Sequence, residues 1–80
     1  EVSQLIILRG YIMLNGARIR ELRTMKGYTC LDMSKDTNIS KSYIEELERG
    51  SKVNPALNKV VALAEALGVK VDDLIFKPAI

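Results

Sequence analysis

The stretch TCLDMSKDTNISKSYIEELERG, residues 29–50, decides the fold. It reads as two short helices joined by a tight turn. Thr29 is an N-cap residue type and Asp32 follows three positions later, a capping box in which each side chain satisfies a backbone N–H at the helix start. Tyr28 and Met33 fall at the staple positions around that cap. The helix is expected to stop near Thr37, because Asn38 tolerates the left-handed backbone that a tight turn needs. Ser40 then caps a helix running to Arg49 and Gly50, with Ile39 and Ile44 as its staple. Two helices crossing at ~90–120° need a small residue at their contact and a permissive bend. Ser34 and Asn38 meet those needs, and Ile39, Ile44 and Leu47 tie the second helix to the body.

The flanking sequence extends the same pattern. Upstream, Asn15 caps a helix that ends at Lys26–Gly27, with Leu14 and Ile19 as its staple. Its inward residues are Ile19, Leu22 and either Met25 or Lys26. Downstream, Pro55 sits at or near the first position of a helix whose apolar stripe is Leu57, Val60, Val61, Ala64 and Leu67, closed by Gly68. A last short helix is expected around Asp72 to Phe76, with two acids in its first turn where the helix dipole favours them. Residues 14–80 thus read as one compact all-α domain of five helices. Residues 1–13 differ. Leu5, Ile6, Ile7 and Leu8 form an apolar run before Gly10, an N-terminal extension that reads as a strand or an irregular arm. Met13 looks like a start residue in front of a complete domain.

Composition narrows the chemistry. The chain has 80 residues, 48% apolar and 28% charged, which suits one globular domain. It has no histidine and one cysteine. A Ser-His-Asp triad, a Cys-His dyad, a Cys/His zinc site and an internal disulfide are therefore excluded. The acids and lysines form no paired constellation, so no enzyme, metal or cofactor is expected. No run approaches the ~18 apolar residues of a membrane span, and no secretory signal is present, so a cytoplasmic module is expected. Net charge is +2, from 12 Lys and Arg against 10 Asp and Glu. Residues 16–52 hold eight of those cations against six acids, so the whole excess falls in the half that contains the paired helices.

From Gly16 to Phe76 the chain resembles the Cro/repressor-type helix-turn-helix family, the lambda-repressor-like fold. The resemblance rests on RIRELRTMKGYT at 18–29, NISKSYIEELERGSKVNPAL at 38–57 and LAEALGVKVDDL at 63–74, in order and spacing. It implies a dimeric transcriptional regulator whose third helix enters the DNA major groove. Three positions depart from the common pattern: Cys30 where many members carry a backbone-contacting Gln, Ser34 where Ala is frequent, and Asn38 where Gly is frequent.

Residue roles follow from that resemblance and from the helical wheel. The wheel turns Ile44 and Leu47 inward, with Lys41, Ser42, Glu45, Glu46 and Arg49 outward or at the rim. The resemblance places Lys41, Ser42 and Glu46 where base edges are read. Lysine donates to guanine and glutamate accepts from the cytosine amine. Glu45 shares the outer face as a further readout candidate, and its charge is expected to oppose non-specific binding. Arg18, Cys30, Lys35, Ser40, Tyr43, Arg49 and Lys52 are the candidates for phosphate contact, with the loop 51–54 offering amides. For Ser40 capping is the plainer role, and for Tyr43 core packing. Arg23 and Glu48 occupy positions that in the family form a structural ion pair. Cys30 has no internal resolving partner, so it reads as an inert small residue rather than a redox sensor.

The expected function is sequence-specific binding of double-stranded DNA by a homodimeric repressor of phage, plasmid or mobile-element type, with no small-molecule effector. The alternative is a protein-interaction module that keeps the fold, such as an antitoxin, suggested by the acidity of Glu45, Glu46 and Glu48. Leu74, Ile75 and Phe76, or the Leu5–Leu8 arm, are the apolar segments expected to form the dimer interface.

Overall fold

A computed structural model of the chain describes residues 14–52 and 55–76. The expected arm at residues 1–13 lies outside the described residues, as do Val53 and Asn54 of the loop. The architecture is all-helical: α1 (Gly16–Lys26), α2 (Cys30–Thr37), α3 (Lys41–Arg49) and α4 (Leu57–Leu67), followed by a 3-10 turn at Val71–Leu74.

Local signals set the boundaries of the first three helices. Asn15 Oδ1 accepts from the Arg18 N–H at 3.2 Å, and Gly27 ends α1 at φ 77°. The Thr29–Asp32 capping box forms in both directions, at 3.0 and 2.9 Å. Asn38 closes α2 with φ 60°, the left-handed conformation the turn requires, and its N–H donates to the Ser34 carbonyl. Ser40 Oγ accepts from the Tyr43 N–H at 3.2 Å to start α3.

One core joins these elements. Ile19 of α1, Met33 of α2, Ile44 and Leu47 of α3, and Val60, Leu63, Ala64 and Leu67 of α4 are all buried, together with Leu14, Ile39, Leu74 and Ile75. Fully burying a side chain such as Ile44 is worth about 1.5–3 kcal/mol, and truncating it to alanine costs about 2–5. The helix α1 packs on α3, α2 packs on both α3 and α4, and the 3-10 turn packs on α4 and α1. Placed between α1 and α2, α3 has its outer face open.

Four expectations are corrected. The fifth helix is a four-residue 3-10 turn, because Ile75 is drawn into extended backbone and pairs antiparallel with Leu14. Beside that bridge the Asn15 N–H donates to the Leu74 carbonyl at 2.8 Å. Leu74 and Ile75 are consequently core residues, and of the three proposed interface residues only Phe76 is exposed. In α4 the inward stripe includes Leu63, whereas Leu57 and Val61 are exposed. Apolar residues fill every position from Val60 to Ala64, so periodicity does not choose the inward face there. Pro55 lies buried just ahead of the N-cap Ala56, near the helix start as expected. Finally, Met25 is exposed while Leu22 packs on the core, and the exposed Lys26 donates to the Ala66 carbonyl with its ammonium 4.6 Å from the Tyr28 ring centroid.

Candidate nucleic-acid interface

The outer face of α3 begins at its first turn. Lys41 and Ser42 are exposed, and Glu45 and Glu46 are half-buried at the rim. Lys41 Nζ lies 3.1 Å from Glu45 Oε2, one helical turn on. An exposed pair of this spacing contributes ~0.3–0.5 kcal/mol, so it biases the lysine's direction without fixing it. Glu46 makes no ion pair among the described residues. Its carboxylate is the open acceptor of this face.

Behind that face, Arg23 of α1 anchors α3. Its Nε and Nη2 donate to Glu48 Oε2 and Oε1 at 2.7 and 3.0 Å, and its Nη1 donates to the Tyr28 carbonyl at 2.8 Å. The Arg23 and Glu48 side chains are only 12% and 7% exposed. Bidentate guanidinium–carboxylate pairing fixes orientation as well as distance. The hydrogen bond to Glu48 raises the Arg23 pKa further, against the lowering effect of burial. One side chain thus ties α1, the α1–α2 junction and α3 together.

Cys30 opens α2 half-buried, with Sγ 3.8 Å from Glu48 Oε2. Burial, followed by the charge of Glu48, raises its thiol pKa. That is the opposite of an activated cysteine, and it supports the inert reading. Arg18 pairs with Glu21 on its own helix, so much of its charge is answered locally. Lys35 is exposed in the last turn of α2, away from the end occupied by Cys30. Ser40 is engaged as a cap. Tyr43 packs against the core, with Lys59 Nζ 4.0 Å and Lys52 Nζ 5.8 Å from its ring centroid.

Two basic residues near this surface escaped the sequence reading. Lys59 reaches Tyr43 from α4, a contact between separate helices that leaves no spacing signal. Arg20 lies with Arg49 at an open pocket of about 300 Å³ between α1, α2 and α3. The wheel places Arg20 outside the inward stripe of α1, but does not show that α3 passes beside it.

An all-helical body that holds one short, capped helix by its inner face and leaves the outer face open defines a helix-turn-helix domain. The family model for the helix-turn-helix domain matches residues 16–79, and the chain belongs to that family. It is 40% identical over 58 residues to the HTH-type transcriptional regulator DdrOP3 of Deinococcus deserti, covering 72% of this chain and 44% of the relative. It is 33% identical over 63 residues to the immunity repressor protein of Bacillus phage phi105, covering 79% and 43%. Among solved structures it is similar to the biofilm master regulator SinR in complex with DNA, at TM-score 0.69 and 30% identity over 71% of this chain and 90% of that one. It is also similar to the restriction-modification controller protein C.AhdI of Aeromonas hydrophila, at TM-score 0.68 and 34% identity over 72% and 86%. The chain spans less than half the length of those first two curated relatives.

Proposed function

We propose that this chain is the DNA-binding part of a sequence-specific transcriptional regulator, a repressor of phage, plasmid or mobile-element type. The observation that carries this reading is the open face of α3, with Lys41, Ser42 and Glu46 outward on a helix locked from behind by Arg23 and Glu48. With α3 in the major groove, Lys41 donates to guanine O6 or N7 and Glu46 accepts from cytosine N4. Glu45 orients Lys41. Arg49 and Lys52, with Tyr43 as a packing platform for Lys52 and Lys59, meet the flanking backbone and set the register. Residues 14–80 form the binding unit.

One such unit buries too little surface for operator-level affinity, so the active species is a homodimer. Its half-sites lie about 34–36 Å apart, and promoter occlusion is the mechanism. No cofactor or small-molecule effector enters this scheme. The relatives' names, which describe transcriptional regulators and a phage repressor, support it.

The test is selection from a randomised duplex pool, with sedimentation of the protein alone and with the selected duplex. Enrichment of a near-palindrome bound by two copies is expected. A pool that stays random, with no salt-dependent binding to any duplex, would replace this reading by the antitoxin-like interaction module.

A further inference from the structure

We propose that Arg20 of α1 and Arg49 of α3 form a phosphate-binding pocket that replaces the polar contact Cys30 does not make. This deepens the DNA-binding reading and rests on it. The pocket of about 300 Å³ is lined by Arg20, Arg23, Cys30, Glu45, Glu48 and Arg49.

Charge accounting separates these six. Glu48 is held by Arg23 through two hydrogen bonds, and Glu45 is paired with Lys41, which does not itself line the pocket. Among the described residues, Arg20 and Arg49 have no carboxylate partner. Two arginines without a carboxylate partner therefore line one concavity whose two carboxylates each have a cation partner. Guanidinium presents paired N–H donors that match two oxygens of a phosphate, so the ligand chemistry is a phosphodiester anion.

Position on the fold selects DNA backbone as the source. Arg49 lies two helical turns beyond Lys41 and one beyond Glu45, on the stripe that borders the open face of α3. A backbone phosphate flanking a groove entered by α3 is the anion that such a border meets. Cys30, at the first position of α2, lines the same pocket. Its neutral, half-buried thiol offers a weak donor at most, and that thiol faces Glu48. Arg20, reaching in from α1, makes the contact instead.

The experiment is fluorescence anisotropy on two unrelated 20-base-pair duplexes between 50 and 200 mM salt. It compares wild type, Arg20→Ala, Arg20→Lys and the distant surface variant Lys70→Ala. Losing one phosphate contact lowers the slope of log K against log salt by about 0.9, which is about fifteenfold in affinity at 50 mM and about fourfold at 200 mM. Arg20→Ala is expected to show that loss equally on both duplexes with an unchanged melting temperature, and Arg20→Lys to restore the slope. Lys70→Ala should match wild type. If wild type binds with a salt slope and Arg20→Ala keeps the full slope, the pocket holds no phosphate. If wild type binds neither duplex at any salt, the DNA-binding reading itself fails.

Discussion

Gly16→Ala tests how closely α1 and α3 approach. Helix propensity alone predicts stabilisation, since alanine is favoured over glycine by up to ~1 kcal/mol within a helix. Geometry predicts the reverse. A Cβ at Gly16 would lie 2.0 Å from the Leu47 carbonyl oxygen and 3.0 Å from both Cα and O of Glu48. Every atom it meets is backbone, so no rotamer change relieves the clash. Reaching even a tight 3.0 Å contact requires α1 and the last turn of α3 to separate by about 1.0 Å, the difference between 3.0 and 2.0.

Overpacking typically costs about 1–3 kcal/mol. A backbone clash of this depth belongs at the upper end, so subtracting the propensity gain leaves a net loss of ~2 kcal/mol. For a domain of this size that lowers the melting temperature by ~8–16 °C. The assay is thermal unfolding followed by circular dichroism. The opening also falls beside Glu48, so the Arg23 anchor should loosen and duplex affinity should fall with stability. A melting temperature equal to or above that of wild type would refute the close packing of α1 on α3.

Arg23→Ala leaves Glu48 enclosed without its guanidinium and strips the Tyr28 carbonyl of its donor. Because Glu48 borders an open pocket, the loss belongs at the low end of the range for breaking a buried pair, about 3 kcal/mol. Calorimetry should show a melting temperature lowered by ~12–24 °C, and a melt indistinguishable from wild type would mean the pair is solvated. In the capping box, hydrogen bonds from Thr29, the backbone N–H first, hold the Asp32 carboxyl below its ordinary value. Its stabilising effect is present above the ordinary carboxylate range and is lost as pH falls through the depressed value. Asp32→Asn should therefore melt lower than wild type at pH 7, with the difference closing near pH 2. Burial first, then Glu48, raises the Cys30 thiol pKa, so the stability linked to that proton disappears only as pH rises through the raised value. At pH 8 a disulfide reagent should react more slowly with the folded protein than with the urea-unfolded chain, and equal rates would count against the burial of this thiol.

What the sequence made legible, and what it did not, divides by the range of the interaction. Asn15, Thr29, Asp32, Asn38 and Ser40 act within a few residues of themselves, and each performs the cap or turn its type implies. The core of the paired helices follows from the spacing of Met33, Ile39, Ile44 and Leu47. The family resemblance anticipated the Arg23–Glu48 pair, which links residues 25 positions apart. Failures arise where the outcome depends on a partner from elsewhere in the chain. The bridge from Leu14 shortens the last helix, tertiary packing selects Leu63 over Val61, and only the approach of α3 makes Gly16 obligatory. Arg20 belongs to the same group, since its place beside Arg49 at the pocket depends on a neighbouring helix.

Charge placement around α3 bears on the proposal that so acidic a helix reads DNA. Non-specific affinity comes from cations that displace counterions from phosphates, so a helix carrying Glu45, Glu46 and Glu48 contributes little of it. These three acids are not equivalent. Glu48 is consumed by Arg23, Glu45 answers Lys41, and of the three only Glu46 has no cation partner among the described residues. Four further cations flank the helix rather than line its tip: Arg20 and Arg49 on the α1 side, Lys52 and Lys59 around Tyr43 on the α4 side. In the proposed reading, affinity and discrimination fall to different residues. In the proposed complex the flanks would hold the two backbones whatever the sequence between them. In that complex the tip of α3, with one lysine donor and one glutamate acceptor, would gain only where guanine and cytosine stand opposite and would be penalised by repulsion elsewhere.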